Sequence, residues 1–134
     1  MRRLMLFGVL VASAAPALAQ SIAGEWKTDD GSAIIRVGPC GKAICGTIAR
    51  VLDPAAPAKD INNPDKALRS RTLVGTPVLS GFTRKGAGWE GGTAYDPKAG
   101  RSYKSRLALS DARTLDVTGC ILFLCRTKHW SRVE

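Results

Sequence analysis

Histidine is nearly absent from this chain, with one residue, His129, in 134. Metal sites built on two or more imidazoles therefore cannot be assembled within a single copy. No G-x-S-x-G stretch marks a strained serine nucleophile, and no C-x-x-C marks a thiol redox pair. The adjacent carboxylates Asp29 and Asp30 share one turn, so they lack the facing arrangement that a glycosidase needs. Length is also limiting, since a compact domain takes about 100–200 residues and a two-domain dinucleotide enzyme does not fit. The 45% hydrophobic and 23% charged fractions are those of a globular protein.

The start of the chain has the pattern of an export signal. Met1-Arg2-Arg3 is basic, Leu4 to Ala15 is uncharged and mostly apolar, Pro16 breaks the run, and Ala17-Leu18-Ala19 is a small-x-small cleavage pattern. The run is shorter than the ~20 apolar residues of a membrane span. Residues 1–19 are therefore expected to be a signal peptide, and residues 20–134 a single β-barrel domain, secreted or periplasmic. Taking 19 residues from 134 leaves 115, and losing Arg2 and Arg3 lowers 20 basic side chains to 18 against 11 acidic, a balance of +7. In an exported protein that surplus points away from nucleic acid and toward anionic envelope surfaces or an anionic ligand, with solvated charge as the plain alternative. No later run is long and apolar enough to span a bilayer, so the mature chain is expected to be soluble.

Four cysteines, Cys40, Cys45, Cys120 and Cys125, form two C-x4-C pairs. In an oxidising compartment an even count favours disulfides. The expected pairing is Cys40–Cys45 and Cys120–Cys125, each pinning a hairpin. A zinc site would need four thiolates to converge from two distant hairpins, at a looser spacing than a zinc knuckle.

Glycine and proline punctuate the rest every ~8–12 residues, the rhythm of a sandwich or barrel. Strands are expected over 22–28, 32–37, 44–52, 77–82, 89–95, 102–109, 114–119 and 126–133. Gly91-Gly92 marks a bulge or bend. The one long connection, 53–72, carries Asn62, Asn63, Arg69 and Arg71, with Asn63 as helix cap and Pro64 opening a short helix over Lys66–Ser70. The fold expected is all-β: a small antiparallel meander barrel of about eight strands, with one short helix in the long loop.

The residues also resemble a known family. Gly24-Glu25-Trp26-Lys27-Thr28, Cys40-Gly41 and Cys45-Gly46, Asn63-Pro64-Asp65 with Leu68-Arg69-Ser70-Arg71, Trp89-Glu90-Gly91-Gly92, Tyr95-Asp96-Pro97, Gly100-Arg101-Ser102-Tyr103, and Cys120 with Cys125-Arg126-Thr127 and Trp130 follow its order and spacing. The chain resembles the bacterial domain of unknown function 2147 (DUF2147), a family of small exported proteins. That resemblance implies a barrel-like fold and export, and transfers no catalytic residue. Gly24-x-Trp26, with basic residues on the last strand, is similar to lipocalin-type barrels, where a first-strand Trp closes the floor under a cation. Arg126 or Arg132 is the expected cation here, at about 0.5–2 kcal/mol.

Candidate ligand-binding residues are Trp26, Arg69, Arg71, Trp89, Tyr95, Tyr103, Arg126 and Trp130, although core or floor roles for the Trp residues and cross-strand packing of Tyr95 on Tyr103 compete. On the last strand, Arg126, Lys128, Trp130 and Arg132 share one face, and Thr127, His129, Ser131 and Val133 the other. Either could face inward. Arg69 and Arg71 with Arg84 and Lys85 form a candidate basic rim. Neither a cofactor nor a metal is expected. The function expected is a periplasmic module that binds a small apolar or anionic envelope molecule. The alternatives are an envelope-acting enzyme using His129, with a Tyr or Asp in proton transfer, or a ligand-free structural or interaction protein.

Overall fold

A computed structural model describes residues 8–11 and 21–133. The segment expected to be a signal peptide, with its expected cleavage after Ala19, lies outside the described residues, apart from 8–11, which have no secondary structure. Eight strands follow in order: β1 (Gly24–Lys27), β2 (Ala33–Cys40), β3 (Ala43–Val51), β4 (Pro77–Lys85), β5 (Gly88–Asp96), β6 (Arg101–Asp111), β7 (Thr114–Ile121) and β8 (Leu124–Val133). Each pairs antiparallel with the next, and β8 pairs with β1 through Trp26 and Arg132 to close the barrel. Closure is short, because β1 meets β8 only over Ser131–Val133, and Leu124–Trp130 have no strand on that side among the described residues.

Several strands run further than the sequence suggests. β2 continues through Gly38-Pro39 because β1 covers it only as far as Val37, so Pro39 removes no hydrogen bond on that side. β4 and β5, expected over 77–82 and 89–95, continue to Lys85 and from Gly88, which leaves Gly86-Ala87 as the turn. β7 and β8 pass through the second cysteine pair to a two-residue turn, Leu122-Phe123. Gly91-Gly92 does form a bulge. The β5–β6 register shifts there, Gly91 has φ +76°, and a Cβ on Gly92 would lie 2.5 Å from the Phe82 ring. Both disulfides have the expected pairing. They belong to two separate hairpins, β2–β3 and β7–β8, which removes the zinc reading.

The long connection forms less helix than expected. Asp65, not Asn63, is the cap, its side chain accepting from the Ala67 N–H at 3.0 Å, and the helix is a single 3₁₀ turn, Lys66–Leu68. Asn63 is used elsewhere. Its Oδ1 accepts from the Asp65 N–H at 2.8 Å and its Nδ2 donates to Asp60 at 2.9 Å.

Burial divides the barrel lengthwise. Inward positions of β4–β7 carry Leu79, Phe82, Trp89, Leu107 and Leu115, all buried, and they fill one half with side chains. At that end Trp26 is fully buried, and its indole Nε1 donates to the Ile22 carbonyl at 3.0 Å. Arg132 covers it, with the guanidinium 4.2 Å from the ring centre. The same guanidinium donates to the carbonyls of Ala112 at 2.9 Å, Ala23 at 3.0 Å and Ser21 at 2.8 Å. Arg132, not Arg126, is thus the cation of the floor.

Candidate functional site

The other half of the barrel is hollow. A cavity of about 890 Å³ opens between the β1–β2, β3–β4, β5–β6 and β7–β8 turns. That size lies within the ~300–1,000 Å³ of small-molecule sites. Its apolar wall includes Ile35, Ile48, Leu73, Val78 and Val117. Trp130 lies opposite Leu115 in the β7–β8 register and is buried, which sets the phase of β8. Arg126 and Lys128 share that phase and line the cavity. Among the described residues neither side chain makes a hydrogen bond or ion pair, and no carboxylate neutralises them. Both remain exposed because the cavity is open beside β8.

The long connection crosses the mouth as a strap, held by one buried carboxylate. Asp60 is 1% exposed. It accepts from the Tyr95 hydroxyl at 2.6 Å, Asn63 Nδ2 at 2.9 Å and Arg71 Nε at 3.0 Å, with the Arg71 terminal nitrogen at 2.9 Å. Burial alone would raise the Asp60 pKa, but these hydrogen bonds and the Arg71 charge outweigh it and hold the carboxyl below the usual carboxylate range. Burial and the Asp60 charge push the Tyr95 phenol up to about 12. The strap is also seated on the β5–β6 turn, where Asn62 Nδ2 donates to the Lys98 carbonyl at 3.2 Å. Gly100, at φ +63°, lets the Asn62 carbonyl approach where any Cβ would collide.

One ion pair spans the mouth. Lys98 Nζ on the β5–β6 turn lies 2.7 Å from Asp30 Oδ2 on the β1–β2 turn, half-way round the ring of strands. Burial opposes ionisation of Asp30, yet hydrogen bonds from Lys98, Ser32 and Thr28 hold it far below its ordinary value. Asp53 and Asp96 also line the mouth and cap their own turns, accepting from the Ala55 and Lys98 N–H groups.

The candidate residues therefore separate. Tyr95, Tyr103, Arg126 and Trp130 line the cavity. Trp26 forms the floor. Trp89 is buried toward the closed end, with Arg84 stacked 4.8 Å from its ring centre. Arg71 is taken by Asp60, and Arg69 is exposed, its Nε donating to the Asn63 carbonyl at 2.7 Å. Arg84 and Lys85 lie at the closed end, so the four-cation rim with Arg69 and Arg71 does not form. Tyr95 and Tyr103 are not a directly opposed pair, because Tyr103 faces Ala94 and Tyr95 faces Ser102. His129 is on the outer wall, its Nδ1 2.6 Å from Asp116 Oδ1, and its side chain is 66% exposed. Ser110 Oγ donates to that same Asp116 oxygen at 3.2 Å. The acid stands between serine and imidazole, unlike the serine–histidine contact of a triad. Asp60 carried no sequence signal beyond its place in the long connection.

Comparison with known proteins agrees with this architecture. A solved structure titled "Protein HP1028 from the human pathogen Helicobacter pylori belongs to the lipocalin family" is similar at a TM-score of 0.76 and 22% identity, covering 85% of this chain and 84% of that one. At that identity the likeness shows the fold, a lipocalin-like barrel. No curated protein matches. The profile described as "Uncharacterized protein conserved in bacteria (DUF2147)" matches residues 24–132, so the chain belongs to the DUF2147 family.

Proposed function

We propose that this chain is an exported binding protein for a small amphipathic anion. The apolar part of the ligand enters the hollow half of the barrel, and its anionic head meets Arg126 and Lys128. One observation carries the reading: two cations with no carboxylate partner among the described residues face an apolar-walled cavity of about 890 Å³. An unpaired charge at the edge of an apolar cavity gains from an anionic partner, since charge-assisted hydrogen bonds are about twice as strong as neutral ones. Export is supported by the leader pattern and by the two disulfides, which persist in oxidising compartments. N-terminal sequencing of protein recovered from the cell envelope should begin at Gln20.

The binding test compares a long-chain carboxylate with the alcohol of the same chain, each displacing an apolar fluorescent dye. The carboxylate should bind more tightly. Replacing both cations (Arg126→Ala with Lys128→Ala) should weaken it about tenfold or more, at the ~1.5–3 kcal/mol of a hydrogen bond to a charged group, and leave the alcohol unchanged. Equal affinity of the parent protein for acid and alcohol would remove the anionic part of the proposal. No displacement by either would remove the whole.

A further inference from the structure

The tip of the β7–β8 hairpin runs against ordinary turn chemistry. Two-residue hairpin turns favour Asn-Gly or Asp-Gly. Here the turn is Leu122-Phe123, with Leu122 at φ +53°, closed by Ile121 opposite Leu124. Leu122 is 86% exposed, Phe123 92% and Leu124 80%. Four consecutive apolar residues thus project from the mouth, and none of the described residues covers the turn. Immediately below, Cys120 and Cys125 stand directly opposite and are bonded, with Cα atoms 4.1 Å apart. The apolar tip is held out on a braced stalk.

Its surroundings are basic. Lys104 is level with Cys120, Arg106 with Thr118, and Arg126 with Gly119. These three cations and Lys128 have no carboxylate partner among the described residues. Residues 97–110 and 117–133 contain no Asp or Glu. The acids of the mouth, Asp29, Asp30, Asp53 and Asp96, all belong to the part of the ring from β1 to β5. One edge of the mouth is therefore an apolar point in a cationic collar.

We infer that this hairpin docks on an anionic lipid surface, with Leu122 and Phe123 in the acyl boundary and Lys104, Arg106, Arg126 and Lys128 among the headgroups. Apolar residues backed by cations are the composition of interfacial membrane anchors. The charge asymmetry selects an edge-on approach that keeps the acidic side of the mouth away from the lipid. Ile121 and Leu124 belong both to the hairpin and to the cavity lining, so docking places the open side of the cavity against the bilayer. The docking stands without the ligand reading. If both hold, the membrane is where the ligand is collected or delivered.

The test uses a Phe123→Trp variant, which keeps the tip apolar and reports its surroundings once the parent's emission is subtracted. With vesicles containing phosphatidylglycerol its emission should shift to the blue and be quenched by brominated acyl chains. Phosphatidylcholine vesicles should give a much smaller change. Leu122→Asp with Phe123→Asp should lower partition at least about tenfold in a sedimentation assay. Lys104→Ala and Arg106→Ala should each lower it roughly fivefold at low salt. All comparisons use the protein beginning at Gln20, as recovered from the cell envelope. The tip lies outside the packed core, and a thermal melt matching the parent's shows that the barrel is intact. The inference is overturned if the added emission of the Phe123→Trp variant ignores anionic vesicles at low salt, or if the double Asp variant partitions like the parent. It is equally overturned if the tip mediates a dimer that the Asp substitutions dissociate, or holds a protein partner in place of lipid.

Discussion

Arg132 and Arg126 lie on the same strand and could hardly be treated more differently. Arg132 stacks on Trp26 at 4.2 Å and reaches three carbonyls, so its charge is fully used inside the molecule. Arg126, six residues earlier on β8, lines the cavity with no partner among the described residues. The closed end of the barrel satisfies its polar groups and fills its interior. The open end pairs Lys98 and Arg71 but leaves Arg126 and Lys128 without a carboxylate partner among the described residues, beside the apolar wall of the cavity. A cation used internally belongs to stability, whereas one left unpaired beside a cavity is available to an external anion.

That contrast can be broken from either end. Trp26→Ala should have the largest effect, about 4 kcal/mol in urea denaturation, because removing a fully buried indole leaves a cavity in the packed half. Asp60→Ala should follow at about 3 kcal/mol, since it strands Arg71, Tyr95 and Asn63 under the strap. Hydrogen exchange should then lose protection over 58–73 and keep it at the floor. Arg132→Ala should cost about 2 kcal/mol, because it removes the stacking on Trp26 and the carbonyl hydrogen bonds together. Arg126→Ala should change stability by no more than about 0.5 kcal/mol while weakening ligand binding. A large stability loss there would show that the open end is part of the structural framework after all.

The mouth also responds to pH at both extremes. Asp60 and Asp30 are both held below the ordinary carboxylate value of 3.8, so their contribution is complete above it and is lost as pH falls through their lower folded values. Tyr95 is raised from 10 to about 12, so its contribution is complete below pH 10 and is lost as pH rises toward 12. All three groups lie at the mouth. Thermal melts across pH should lose stability at both extremes, and exchange at the mouth should rise before exchange at the floor.

Much of the closed end was legible. The similarity of Gly24-x-Trp26 and the basic last strand to lipocalin-type barrels implies the floor, and only the choice between Arg126 and Arg132 needed the register. The cysteine pairs were legible because each lies within one hairpin. The strap was not. Asp60 meets partners 3, 11 and 35 residues away, and the Tyr95 contact exists only once the strap folds over β5. Arg71 therefore looked available for a ligand when it is already paired. The face of Arg126 and Lys128 could not be read from alternation alone, because both phases of β8 are mixed in polarity. Burial of Trp130 decides it.

The most direct test of the central claim is an intermolecular NOE experiment with a long-chain carboxylate on methyl-labelled protein. A chain seated in the cavity gives cross-peaks from ligand methylenes to the methyls of Ile35, Ile48 and Val78, together with a shift of the Arg126 side-chain resonances that the corresponding alcohol does not produce. Cross-peaks confined to outer-wall or tip methyls, with Arg126 unmoved, would contradict that claim.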